Sequence, residues 1–334
     1  MIPVTRIRYE IGKPKERPLP PRIKVRYPWD TDMTICIAAR TDTHHGEHIV
    51  GCCDWRIETY AVGAETELKF RWLPGSWCVM YAGDDISHAK ELCGRYETFL
   101  RNHKKDITED NLLEMLRIPP REMRHALADE CTRKIMAVSY DVFLKKDSLG
   151  ISDDLRRHVE SEVEQQQVKA ELIIMGLVEH HLFIASYAHG VVTLQDDFAA
   201  IGSGSYIAND MLYLRSQSRS ASLAETIYTV FEAKCFSEAA PGVGRSTHMF
   251  VMSLNQLQDK AIFTLIREGE DFRCLSKQLK KFAPRRLKGV ILPPSAEDID
   301  IRIKESEPLS RRLPKADPSR ELPLQASSAR SGES

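Results

Sequence analysis

Two short runs, Thr34-Ile-Cys-Ile-Ala-Ala39 and His48-Ile-Val-Gly-Cys-Cys53, are apolar at nearly every position, and a polar loop holding His44, His45 and Gly46 lies between them. Successive side chains of a strand point to opposite faces, so a strand with one wet face alternates apolar and polar residues. Continuous apolar text means that both faces are covered. The pair therefore reads as a hairpin whose strands are buried on both sides.

The rest of the chain supplies what could cover it. Trp77-Cys-Val-Met-Tyr-Ala82 is a third strand that stops at Gly83. Asp84 and Asp85 then precede a stretch from Ile86 to Leu100 with Ala89, Leu92, Cys93, Tyr96 and Leu100 at helical spacing. A second helical region spans about Asn111 to Val138. Ser152 to Lys169 is strongly charged and reads as an exposed insertion or hairpin tip. Strands resume at Ala170 to Met175, His181 to Tyr187 and Val191 to Leu194. Phe198 to Ser205 leads into helical segments at Tyr206 to Leu214 and Leu223 to Phe236, before a last run at Thr247 to Ser253. Two packed sheets with helix pairs outside satisfy this order.

Texture divides the 334 residues into three. Residues 1–33 are basic and proline-rich without a sustained period and read as an extension. Residues 34–274 read as one globular domain. Residues 275–334, rich in proline and charge, read as a disordered tail. The 47 Lys and Arg residues nearly balance 48 Asp and Glu, so no global field draws the chain to nucleic acid or to an anionic membrane. The basic text from Lys277 to Lys288 reads as solvated tail. No apolar run reaches the roughly 18 residues of a spanning helix, and the first 32 residues hold no apolar stretch of a secretory signal. A cytoplasmic protein is therefore expected. In that compartment the eight cysteines read as small buried hydrophobes rather than disulfides. His44, His45 and His48 beside Cys52 and Cys53 invite a metal reading, but neighbouring cysteines on a strand point to opposite faces. No metal and no cofactor are expected.

Several motifs recur in a telling order. Met33-Thr34-Ile-Cys-Ile opens the first strand, Asp54-Trp-Arg56 follows the second, and Lys69 stands in Glu67-Leu-Lys-Phe70. Ala82-Gly83 precedes the first long helix, and Ile201-Gly-Ser-Gly-Ser205 precedes a later one. Over about two thirds of the chain this order resembles proteasome β subunits and the simpler bacterial proteasome-like peptidases, of the N-terminal-nucleophile hydrolase class. The resemblance implies an α+β fold, a four-layer αββα sandwich of two antiparallel sheets flanked by helices. It also implies a homo-oligomeric ring, a peptide or unfolded-protein substrate, and an ATP-dependent unfoldase as a partner to be considered.

By the same resemblance Thr34 is the nucleophile once residues 1–33 are removed, with Asp54, Lys69, Gly83 and Ser203 completing the catalytic set. Arg56, Ser205, Ser237 and Glu238 are secondary candidates. The chemistry suits these residue types. A threonine hydroxyl needs a base at neutral pH, and a free α-amine on Thr34, with an ordinary pKa of about 8, can serve. An ammonium at Lys69 biases neighbouring groups toward their deprotonated forms, Asp54 balances its charge, and the Gly83 N–H faces the developing oxyanion.

Two departures from the family pattern bear on activity. Phe236-Ser-Glu-Ala-Ala-Pro-Gly-Val-Gly244 stands where the family has an aspartate and a serine supporting the threonine amine. Ser237 or Glu238 is the stand-in for the aspartate, while Ala240 or Pro241 replaces the serine. Met33 stands where processed subunits generally carry glycine, so that it reads either as propeptide or as a start codon. A non-catalytic ring subunit and a hydrolase of small acyl-amides remain the competing readings, and each motif alone has an ordinary structural role: a β-forming threonine, an ion pair, a strand-ending glycine, a turn.

Overall fold

The structure, a computed structural model, describes residues 34–43, 46–54, 56–58, 63–65, 68–83, 85–145, 150–255, 260–266 and 269–283. The chain divides into two units, Met1–Asp30 and Thr31–Ser334, and the first lies outside the described residues. So do His44, His45 and the sequence beyond 283.

Strands β1 (Cys36–Thr43) and β2 (Gly46–Asp54) are followed by the short β3 (Arg56–Glu58) and β4 (Gly63–Glu65), then β5 (Phe70–Leu73) and β6 (Trp77–Ala82). Five helices come next: α1 (Ile86–His103), α2 (Leu112–Leu116), α3 (Ile118–Met136), α4 (Tyr140–Leu144) and α5 (Asp153–Gln165). Strands β7 (Glu171–Val178), β8 (His181–Ala188), β9 (Val191–Gln195) and β10 (Phe198–Ile201) lead to α6 (Ser205–Leu214) and α7 (Leu223–Ser237). The last elements are β11 (Thr247–Asn255), β12 (Lys260–Ile266) and α8 (Glu270–Phe282).

Two five-stranded sheets result, ordered β10-β1-β2-β11-β12 and β5-β6-β7-β8-β9, with β3 and β4 paired separately. Every strand pairing is antiparallel. The fold is thus mixed α/β with two antiparallel sheets and helices. The alternation of side chains decides what each face meets. Cys36, Ala38, Ile49 and Cys53 of the first sheet share a core with Cys78, Met80, Ile173 and Ile184 of the second. Their neighbours Ile35, Ile37, Val50 and Cys52 point the other way, onto Met211, Ile227, Val230 and Phe231 of α6 and α7. Val79, Tyr81, Leu172 and Ile174 pack instead against Leu92, Tyr96 and Leu100 of α1. The β1–β2 hairpin is therefore buried on both faces, and Cys52 and Cys53 lie on opposite sides of their sheet. Each fully buried aliphatic side chain contributes about 1.5–3 kcal/mol, and all eight buried residues just named on the first sheet's two faces belong to the hairpin, Ile35 standing just ahead of β1.

Two expectations need correction. The charged stretch from Ser152 to Lys169 is not a hairpin tip: it forms α5, started by the Ser152 hydroxyl accepting from Leu155 N and anchored through buried Val159. The folded region also runs past residue 274, because α8 continues to Phe282 and buries Leu275 in the core under the first sheet.

One ion cluster joins the sheets away from the strand ends discussed below. Glu47 of β2 accepts from His181 Nδ1 (2.7 Å) and Leu182 N (2.7 Å) of β8, and pairs with Arg40 of β1 at 2.9 Å. Burial pushes the Glu47 carboxyl up, but the His181 and Leu182 hydrogen bonds and the Arg40 charge outweigh it and hold the pKa below its ordinary 4.5. The hydrogen bond to Glu47 raises His181 above its ordinary 6.5. A raised histidine contributes stability that is full below its unfolded pKa and lost as pH rises through the folded value. A lowered carboxylate contributes stability that is full above its unfolded pKa and lost as pH falls. The melting-temperature difference between wild type and His181→Asn is therefore expected to be largest at about pH 5–6 and to shrink toward pH 8. A pH-independent difference would show that the contact is not ionic.

Candidate functional site

The hairpin register brings the first two candidates together. Cys36 pairs with Cys53, so the next step outward sets Asp54 beside Ile35, and Asp54 N donates to Ile35 O at 3.2 Å. Thr34 sits one residue further, just before β1. Its hydroxyl donates to Asp54 Oδ1 at 2.6 Å. Lys69 comes from the other sheet: it precedes β5, and its carbonyl accepts from Tyr81 N at 3.2 Å. That anchoring aims its ammonium at the end of the hairpin, where Nζ donates to Thr34 Oγ1 and, at 2.9 Å, to Asp54 Oδ1.

The three side chains are buried, at 2% exposure for Thr34, 0% for Asp54 and 1% for Lys69. An ion pair so far from water is stable only when its remaining donors and acceptors are satisfied. Asp54 meets that condition. Oδ1 also accepts from Ile35 N at 3.3 Å, and Oδ2 accepts from Gly244 N at 2.7 Å. Gly244 was not among the residues singled out from sequence; as a backbone donor it has no side-chain signature to read.

The Gly202-Ser-Gly204 turn holds Thr34 from the other side. Ser203 Oγ donates to the Thr34 carbonyl at 3.4 Å, and Gly204 N approaches the same oxygen at 3.5 Å. Gly202 has φ +91°, and a Cβ there would overlap the Thr34 carbonyl group, lying 2.9 Å from its carbon. Gly202 N in turn donates to Glu171 Oε2 of β7 at 2.7 Å, tying this turn to the second sheet. Gly83, at φ +133°, passes so close to the start of β7 that a Cβ would sit 2.8 Å from Ala170 Cα and from Lys169 O. Only glycine fits both positions without backbone movement.

The secondary candidates divide. Ser205 begins α6 and, with Gly83, Gly202 and Ser203, lines an open cavity of about 910 Å³. Ser237 points elsewhere: its hydroxyl donates to Ala233 O (2.8 Å) and Gly204 O (3.2 Å). Glu238 accepts from buried Lys234 at 2.5 Å, and Lys234 also donates to Arg245 O at 2.8 Å. These two residues brace the Gly204 turn and the loop carrying Gly244, without a bond to Thr34. Arg56 opens β3, paired with Glu65 of β4.

Among the described residues no helix is long and apolar enough to cross a membrane. No family model matches the chain, and no curated protein matches it in sequence. Among solved structures it is similar to eukaryotic HslV from Trypanosoma brucei, at 16% identity and a TM-score of 0.43, over 66% of this chain and 99% of that one. A likeness that distant assigns no family.

Proposed function

We propose that the chain is a proteasome-type threonine peptidase, an αββα sandwich of four layers that cleaves peptide bonds with Thr34 after residues 1–33 are removed. One observation carries this reading: a threonine hydroxyl, a lysine ammonium and a carboxylate, brought from two sheets, are hydrogen-bonded to one another in a buried cluster. With Thr34 first in the chain, its Oγ1 attacks the substrate carbonyl carbon while the hydroxyl proton passes to the α-amine. The oxyanion accepts from Gly83 N–H. Collapse of the tetrahedral intermediate transfers the proton to the leaving amine and leaves an ester on Thr34, which water hydrolyses. Lys69 Nζ donates to Oγ1, and Asp54 holds Lys69 in place. Ring assembly and cytoplasmic peptide or unfolded-protein substrates belong to the same proposal, with an ATP-dependent unfoldase as a partner to test.

A second reading, a non-catalytic ring subunit, draws on Ser237 and Glu238, which bond away from Thr34. With Met33 still attached, the Thr34 nitrogen is an amide and not a base. Intact mass of the native protein distinguishes the two. A chain beginning at Thr34 is expected to hydrolyse peptide amides, and Thr34→Ala to lower kcat at least about a thousandfold. Equal turnover by wild type and Thr34→Ala would remove the peptidase reading.

A further inference from the structure

The cavity lined by Gly83 and Ser203 extends well beyond that wall. Its far side is built from α3, the end of α5 and the β8–β9 turn, including Arg124, Val163, Tyr187 and Gly190. At about 910 Å³ it lies in the size range of ligand clefts, with room for more than one residue of an extended peptide.

Two polar groups in that far side are incompletely used. The Tyr187 side chain is 0% exposed, and no group accepts a hydrogen bond from its hydroxyl, whose polar neighbour is the Arg124 guanidinium. A buried hydroxyl with nothing to accept from it is costly, so a donor on a residue that lines a cavity is one that a ligand can satisfy. Arg124 lies beside it. One guanidinium nitrogen donates to Gly190 O at 2.8 Å, which fixes the group on the β8–β9 turn. Among the described residues Arg124 has no carboxylate partner, so most of its five N–H donors remain for a ligand. Burial raises the Tyr187 pKa, outweighing the charge and hydrogen bond of the adjoining Arg124, which keeps the phenol a proton donor.

The surrounding charges favour an anion at this end. Lys169 has no carboxylate partner among the described residues, and its backbone is held by His88 Nδ1 (3.1 Å) and Asp85 N (3.1 Å). Arg121 and His125 face the same space, already paired with Glu114 and Asp141. Of the two lining carboxylates, Glu171 is engaged by Gly202 N and Glu164 stands on α5.

We infer that Arg124 and Tyr187 form a carboxylate-binding subsite that takes the Asp or Glu side chain of a peptide lying in this cavity. For cleavage next to that side chain the inference rests on the peptidase reading; for binding it does not. A planar guanidinium with parallel N–H donors matches a carboxylate bidentately, and the phenol adds a third donor.

The test uses the full chain carrying Thr34→Ala, with fluorescein-labelled, N-acetylated decapeptides that differ only in a central Glu-Glu, Gln-Gln or Lys-Lys pair. The Glu-Glu peptide is expected to bind roughly ten- to a hundredfold more tightly than the Gln-Gln peptide. Arg124→Glu should erase or invert that preference, and Tyr187→Phe should weaken it severalfold. Arg124 is exposed, so its replacement leaves the core intact; Arg124→Met checks that loss of the preference does not come from the new negative charge. Equal binding of the Glu-Glu and Gln-Gln peptides, or a preference that survives Arg124→Glu, overturns the inference. Arg124-dependent binding of the acidic peptide supports it even where the Thr34 protein cleaves nothing, a result that would remove only the peptidase reading.

Discussion

Replacing Lys69 with methionine is expected to destabilise the protein by about 3–5 kcal/mol. The physical reason is the carboxylate that remains. Asp54 is fully buried, and without the ammonium at 2.9 Å it must either keep an unbalanced charge away from water or take up a proton and lose the hydrogen bonds it accepts. A pair at the surface would not behave this way, since exposed ion pairs contribute about 0–1 kcal/mol. The size of the loss therefore separates an ordinary surface ion pair from a built, desolvated one. The double variant Asp54→Asn with Lys69→Met separates structure from chemistry. It removes both charges together, so much of the stability should return, and a double-mutant cycle in urea measures the coupling. If the chain is the peptidase proposed above, hydrolysis should not return with it, because Thr34 then has no cation beside its hydroxyl. Recovery of activity in the double variant would mean that the pair only props up the hairpin.

The parts of this fold that were legible in the sequence are those where side-chain type and periodicity carry the physics. The β1–β2 hairpin could be read because both of its faces are apolar, and the opposite placement of Cys52 and Cys53 follows from the pleat. Thr34, Asp54 and Lys69 could be grouped only through the resemblance. No local pattern says that a lysine 15 residues past Asp54 returns from another sheet to the same point.

What escaped had a narrow apolar stripe under charged text. Leu155, Val159 and Val163 recur at helical spacing in α5, but only Val159 is buried, and the charges around them dominate the composition. Phe272, Leu275 and Leu279 form a similar stripe in α8 beneath basic and acidic neighbours. The support for Asp54 escaped for a different reason. The sequence points to Ser237 and Glu238 only as stand-ins that would support the Thr34 amine, whereas the group of that stretch which reaches the cluster is the backbone N–H of Gly244, on Asp54 Oδ2. The pairing of Lys234 with Glu238, one helical turn apart, was readable from spacing; its use in bracing the loop that carries Gly244 was not.

A methyl group at residue 202 should have the other large effect, and it tests the geometry of the site without any assumption about catalysis. Gly202 combines φ +91° with a backbone neighbour, the Thr34 carbonyl, in the space a Cβ would take. A flexible side chain could swing away; a carbonyl held by Ser203 Oγ and approached by Gly204 N cannot. The strained backbone costs roughly 1–2 kcal/mol and the overlap about 1–3 kcal/mol more. For a folded region of this size that corresponds to a fall in melting temperature of roughly 5–20 °C. Gly94 provides the contrast, since it lies inside α1 with nothing within 4 Å of the added methyl. Gly94→Ala should leave stability unchanged or raise it by up to about 1 kcal/mol, because alanine favours the helix. Displacement of Thr34 by the Gly202→Ala methyl should also pull its hydroxyl from Asp54 and Lys69, so on the peptidase proposal alone hydrolysis should fall as well, even at temperatures where the variant stays folded. A Gly202→Ala protein that melts with the wild type would show that the turn does not clasp Thr34, and the cluster would then have to be held by Asp54 and Lys69 alone.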